Sequence, residues 1–172
     1  MSGEEGSLGP DHVRSDERES RYQEGDRWFD PAKPVPDQVR RQMATAKTRD
    51  AYIGRAFAWK AGHTCVHMAR FHLLAMGHRP PVMPGFRSAI GAKRALSRNG
   101  WAGVEDMLDS MLPRIAPLQM RLGDLAAGPG LDGIGAVFVC VPPFKLLGWH
   151  EDAEQAVVID FDRDVLTGCW KV

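Results

Sequence analysis

Apolar residues recur at helical spacing through the first two thirds of the chain. Ser, Thr or Asp stands just before three of these stretches, at Asp37, Thr64 and Ser88, where a helix N-cap is expected. Gly and Pro residues follow the stretches, as is typical of helix ends. We therefore predict four helices, over about 38–56, 65–76, 89–98 and 103–112.

From residue 121 onward the pattern changes to short β-prone segments separated by turn residues. We predict five strands, over 121–126, 134–141, 145–149, 156–161 and 168–172. Helices followed by antiparallel strands are an α+β arrangement, with N-terminal helices packed on a C-terminal sheet.

The first 27 residues are rich in Glu, Arg, Ser and Gly, and they lack an apolar run. Such a composition buries too little apolar surface to order alone and contains no secretory signal. Trp28 and Phe29 follow, and then a Pro-rich stretch. We predict an extended or disordered arm over 1–35 and one domain over 36–172, with the arm as a contact for partner proteins.

Composition narrows the class of protein. Lys and Arg total 22 and so do Asp and Glu, so the formal net charge is zero, and we expect no nucleic acid partner. Three cysteines fit a reduced compartment better than a disulfide framework. The longest apolar run, over 134–144, is too short for a membrane span, which needs about 20 residues.

Cys65 is the sharpest chemical signal, because the start of a helix favours the nucleophilic thiolate form of a cysteine. A cysteine in an apolar helix is more often a small core residue, however. Residue type alone leaves both interpretations open.

The sequence around Cys65 resembles the opening of the NlpC/P60-like, papain-fold cysteine peptidases of phage tails, and in particular the phage family DUF6950. The family pattern F-x-W-G-x-x-D-C is similar to Phe57-Ala-Trp59-Lys-Ala-Gly62-His-Thr-Cys65. Three later segments are similar too: 86–100 to Y-x-x-x-x-G-A-x-R-x-L-x-x-x-G, 121–125 to R-x-G-D-L, and 169–172 to A-W-R-V. The resemblance covers about 50–172 and implies a papain-like α+β fold.

Two departures from that family pattern bear on activity. Thr64 replaces the family's Asp before the cysteine, and the stretch 132–137 contains no histidine where active NlpC/P60 enzymes carry their base. Without a base the thiol keeps a high pKa and the leaving group has no proton donor. The resemblance therefore implies a retained fold with hydrolysis lost.

Two other histidines are candidate replacement bases for Cys65. His150 follows a predicted strand and could reach back from the sheet, and His63 lies two residues before the cysteine. His67 and His72 are poorly placed on the predicted helix, two and seven residues beyond Cys65. The predicted catalytic set is therefore Cys65 with His150 or His63, and we expect it to be vestigial.

We predict no metal and no cofactor. His63 and His67 are four residues apart, which suits two ligands on one helical face, but no second cluster completes a zinc site. The alternating carboxylates Asp160, Asp162 and Asp164 lack the Gly and Glu of a calcium loop.

The resemblance implies a structural protein of the distal phage tail or tip, located in the virion tail, with other tail proteins as partners. One alternative is an active cysteine peptidase or amidase that cleaves peptidoglycan stem peptides during DNA entry. Another is an assembly factor that is absent from the finished virion.

Overall fold

The computed structural model describes residues 34–130, 133–141, 145–150, 153–160 and 162–172. The described residues from Pro36 to Val172 belong to one compact unit. The arm predicted over 1–35 lies almost wholly outside the described residues. Asp132, in the stretch 132–137 that lacks a histidine, and Phe161, in the predicted fourth strand, also lie outside them. The division into arm and domain therefore stays a prediction.

Among the described residues, four α-helices occupy the N-terminal part of the unit Pro36–Val172. Thr64 and Ser88 cap two of them as predicted, because their side-chain oxygens accept the backbone N–H groups of His67 and Gly91. The first helix instead has Pro36 as its N-cap, so the prediction for Asp37 was wrong. The helices are α1 (Asp37–Tyr52), α2 (Cys65–Ala75), α3 (Ala89–Arg98) and α4 (Val104–Asp109).

Five antiparallel strands follow the helices and form one sheet with the order β4-β3-β2-β1-β5. This confirms the predicted α+β class. One short 3-10 helix, Pro117–Gln119, precedes the first strand, and another, Arg163–Val165, lies between the fourth and fifth strands. The strands are β1 (Leu125–Gly128), β2 (Ala136–Val141), β3 (Lys145–Gly148), β4 (Val157–Asp160) and β5 (Gly168–Trp170).

The sheet separates two hydrophobic clusters, because successive side chains of a strand point to opposite faces. Helix α2 packs against β2 and against α1, on the face that holds the larger cluster. Strand residues of that cluster include Leu125, Val137, Val139, Leu147 and Trp170. The opposite face carries Ala126, Phe138, Cys140, Leu146 and Cys169.

Within the described ranges, we find no helix with both the length and the apolar character that a bilayer crossing requires.

Candidate active site

The site is built on the first turn of α2. Thr64 caps the helix: its hydroxyl oxygen accepts the His67 backbone N–H at 3.4 Å and lies 2.8 Å from His67 Nδ1. A hydroxyl has a single hydrogen, which Thr64 can donate to that ring nitrogen. Threonine therefore supplies the same kind of cap as the aspartate of the family pattern.

The Cys65 thiol lies against the sheet at the start of this helix. Its residue is partly exposed, yet burial of the sulfur raises the thiol's pKa. The backbone groups of Val137 on β2, of Val66 and of Cys65 itself act in the opposite direction, without reversing it. The helix start alone does not produce a thiolate here.

No imidazole of the described residues is among the groups that shift the pKa of Cys65. His63 lies before α2, in a bridge in which its N–H and C=O both bond to Ala58. The ring of His67 packs against that of Phe86 at an interplanar angle of 45°, with the ring centroids 4.7 Å apart. In the part of the chain that the structure describes, no hydrogen bond joins the Cys65 sulfur to a histidine ring.

The remaining candidates lie elsewhere. His72 is fully buried on α2, where its Nδ1 is 2.9 Å from Thr48 Oγ1 and its Nε2 is 2.8 Å from the Gly123 carbonyl oxygen. His150 is two residues beyond the end of β3, and its carbonyl accepts the Ala153 N–H. The catalytic roles of Cys65, His150 and His63 stay predictions.

Aromatic rings form a continuous line beside α2. Phe57 stands edge-on to Trp59, with centroids 5.0 Å apart, and to Trp149, at 5.7 Å. Trp59 in turn meets Phe86, and Trp149 meets Tyr52. The Trp149 indole N–H also donates to the Arg55 carbonyl at 2.8 Å, so the loop before Cys65 is held in place. Sequence reasoning placed Phe57 and Trp59 beside Cys65 but not Phe86 and Trp149, which reach them from distant segments.

The Gly123-Asp124 motif holds the helices to the sheet. Gly123 has φ +81°, and a Cβ there would lie 3.0 Å from Thr45 Oγ1, so a larger residue is strained in its backbone and crowded by that hydroxyl. Asp124 is fully buried and accepts Arg41 Nη1 at 2.8 Å. The Arg41 guanidinium also donates to the backbone carbonyl of Val172. The motif is therefore structural and lies behind the site.

No group of three or more His, Cys, Asp or Glu residues within the described ranges could hold a metal ion. His63 precedes the helix cap, so it does not share a helical face with His67, as the spacing had suggested.

The family model described as a domain of unknown function, DUF6950, matches residues 38–172. The chain belongs to the DUF6950 family. A search of curated protein sequences found no match. The match to this DUF6950 chain includes every described helix and strand except the first residue of α1.

Solved structures of NlpC/P60 domains share the fold of this DUF6950 chain. The P60 domain of an M. avium paratuberculosis antigen superposes with a TM-score of 0.50 at 16% identity, covering 79% of this chain and 95% of that one. RipD of Mycobacterium tuberculosis, described as a non-catalytic NlpC/p60 domain protein adapted to peptidoglycan binding, gives 0.52 at 14% identity, with 77% and 97% covered. The peptidoglycan hydrolase RipB of the same organism gives 0.53 at 14%, with 88% and 77% covered. The predicted NlpC/P60-like fold is thus confirmed.

Proposed function

We propose that this protein is a non-hydrolytic NlpC/P60-like domain that serves as a binding and assembly module. The observation that carries the proposal is the state of Cys65: burial raises the pKa of its thiol, and no imidazole in the described part of the chain is among the groups that act on it. A neutral thiol without a base is a poor nucleophile at neutral pH.

Hydrolysis is tested by incubating purified cell walls with the wild-type protein, with Cys65→Ser and with RipB as a positive control. We expect peptide release from the RipB sample only. Release by the wild type that is lost in Cys65→Ser would instead establish the alternative function, a cysteine peptidase or amidase that cleaves peptidoglycan stem peptides.

The state of the thiol is measured directly by iodoacetamide alkylation of the native protein across pH. We expect Cys65 to react more slowly at neutral pH than an unstructured cysteine, with a midpoint above the ordinary thiol range. Cys140 and Cys169 are internal controls, since both are buried and burial raises the pKa of each thiol to about 11. Fast alkylation of Cys65 at neutral pH would contradict the proposal.

The finer proposal is a structural role in the distal tail or tip of a phage, with neighbouring tail proteins as partners and the segment 1–35 as a contact arm. Support comes from the resemblance of the Cys65, Gly123-Asp124 and Trp170 motifs to the phage branch. Mass spectrometry of purified particles tests it: we expect the protein in the virion, and its absence would favour an assembly factor instead.

A second candidate is peptidoglycan binding without cleavage. It is supported by the shared fold with RipD, whose description couples a non-catalytic domain to that function. Co-sedimentation with insoluble cell walls measures it. Binding by the wild type and by Cys65→Ser alike, with no peptide released, is the expected result for this candidate.

A further inference from the structure

The zero net charge of the whole chain conceals a strongly uneven distribution. Between residues 51 and 104 there is no Asp or Glu, whereas 105–172 contains eleven acidic residues and five basic ones. Such asymmetry indicates a cationic surface with its own partner. The eight basic residues of the acid-free stretch are Arg55, Lys60, Arg70, Arg79, Arg87, Lys93, Arg94 and Arg98.

Half of these cations lie on α3 or directly before it. Ala92, Ala95 and Leu96 of this helix are buried in the core, so the opposite side of the helix faces solvent. That outward side is a shallow open groove, here called the basic face of α3, lined by Ile90, Lys93, Arg94, Ser97 and Arg98. Arg87 is exposed beside it, just before the Ser88 cap.

The cations of the basic face have no salt bridge to any residue that the structure describes. Arg114, in contrast, is paired with both Glu105 and Asp109. Arg94 and Arg98 are one helical turn apart, where like charges repel each other and weaken the helix. An anionic partner would relieve that repulsion, so the face is suited to binding.

Ile90 distinguishes this surface from a purely electrostatic one. Its side chain is 68% exposed and lies among the cations, at one turn from Arg94. An apolar side chain gains from contact with another apolar group and nothing from contact with a phosphate.

We propose that the basic face of α3 docks an acidic segment of a partner protein, with carboxylates spaced to meet Lys93, Arg94 and Arg98 and an apolar side chain to cover Ile90. This surface is independent of Cys65 and of whether the protein cleaves anything.

Two other classes of partner fit less well. Sites for single-stranded nucleic acid pair cations with aromatic rings that stack on bases, and the basic face carries no aromatic residue. A helix that lies on a membrane needs a broad apolar face, and the outward side of α3 offers Ile90 alone among large apolar residues.

The test uses fluorescent probes of equal length and equal charge in a binding titration. Both peptides have glutamate at three of every four positions. The fourth position is serine in the glutamate-only peptide and leucine in the leucine peptide, and an oligonucleotide serves as the phosphate probe. Vesicles of phosphatidylcholine and phosphatidylserine serve as the membrane probe. The face variant is Lys93→Gln/Arg94→Gln/Arg98→Gln, and its charge-matched control is Arg49→Gln/Arg55→Gln/Lys171→Gln. All six side chains are exposed, and circular dichroism checks that both variants fold.

We expect the leucine-containing peptide to bind the wild type more tightly than the glutamate-only peptide. The face variant should weaken that binding about tenfold and the control variant less than about twofold, as three exposed charge contacts suggest. Ile90→Ser should remove the preference for the leucine peptide and leave binding of the glutamate-only peptide unchanged. Rising salt should weaken binding of both peptides.

Several results would overturn the proposal. Tighter binding of the oligonucleotide than of the leucine peptide would show a nucleic acid surface, and capture by the vesicles would show a membrane surface. Equal losses in the two triple variants would show diffuse attraction without a site. If the wild type bound neither peptide, the basic face of α3 would not be a docking site for acidic segments.

Discussion

Acid should destabilise this protein chiefly through His72. The ring is fully buried, and its Nε2 lies 2.8 Å from a carbonyl oxygen, so that nitrogen carries the hydrogen. Nδ1 lies 2.9 Å from Thr48 Oγ1, whose single hydrogen also reaches the Ala44 carbonyl oxygen at 2.8 Å. In the neutral ring, Nδ1 accepts that hydrogen. Burial, and after it the nearby charge of Arg41, lowers the pKa of His72 from 6.5 to about 4.

The size of the stability loss follows from the linkage between proton binding and folding. The unfolded chain binds a proton at His72 near pH 6.5, whereas the folded protein does not until about pH 4. The contribution to stability is therefore complete above pH 6.5 and is lost as pH falls toward 4. At about 1.4 kcal/mol per pH unit, roughly 3 kcal/mol is lost over this window. That is a large share of the 5–15 kcal/mol that is typical of a folded domain.

Urea unfolding followed by tryptophan fluorescence, at about pH 7 and about pH 4.5, measures the loss. His72→Gln can still donate to the Gly123 carbonyl but cannot titrate. Between the two pH values, the free energy of unfolding of this variant should therefore fall by roughly 2–3 kcal/mol less than that of the wild type. His63→Gln, which changes a half-buried histidine of the loop before α2, should behave as the wild type does.

The reasoning fails if the wild type and His72→Gln lose the same stability between the two pH values. It also fails if an NMR titration of the native protein places the pKa of His72 near 6.5.

Further substitutions test the packing behind the site, each by urea denaturation at neutral pH. Gly123→Ala should lower the free energy of unfolding by at least about 1 kcal/mol more than Gly100→Ala, because both have φ +81° but only Gly123 is crowded. Arg41→Met should lower it by about 3–5 kcal/mol, because it leaves a buried carboxylate unpaired. Thr45→Val should change it by less than about 1 kcal/mol, since that buried hydroxyl has no partner among the described residues, whereas Thr48→Val should lower it by about 1–3 kcal/mol.

Equal losses at the two glycines would show that backbone strain alone matters. A loss below about 1 kcal/mol for Arg41→Met would show that the ion pair is dispensable. Similar effects at the two threonines would contradict the assigned hydrogen bonds.

Local features of the fold could be predicted from the sequence. The caps at Thr64 and Ser88 act over three residues, so the starts of α2 and α3 were correct. The end of α1 was placed four residues too late. The chain turns at Gly54, with φ +73°, and bonds there to Ala156, a partner that no local pattern shows.

Long-range features of the site could not be predicted in the same way. The first strand was predicted from residue 121, but the turn from Arg121 to Asp124 delays it to Leu125. In the sequence, nothing distinguishes Arg41 from the surface charges of the same helix, because its buried partner, Asp124, lies 83 positions away. Cys65 was correctly placed at a helix start, whereas the burial of its sulfur depends on β2.

The guanidinium of Arg41 has a consequence for the order in which the domain can fold. Its bonds close loops of 83 and 131 positions, to Asp124 and to the carbonyl of Val172. Contacts so far apart in sequence form slowly, because the chain between them must be brought together first. During synthesis, Arg41 could pair with Asp37 on its own helix but not with Asp124 or Val172 until those residues had emerged from the ribosome. We therefore expect nascent chains that stop before β5 to expose α1 to protease and to depend on chaperones.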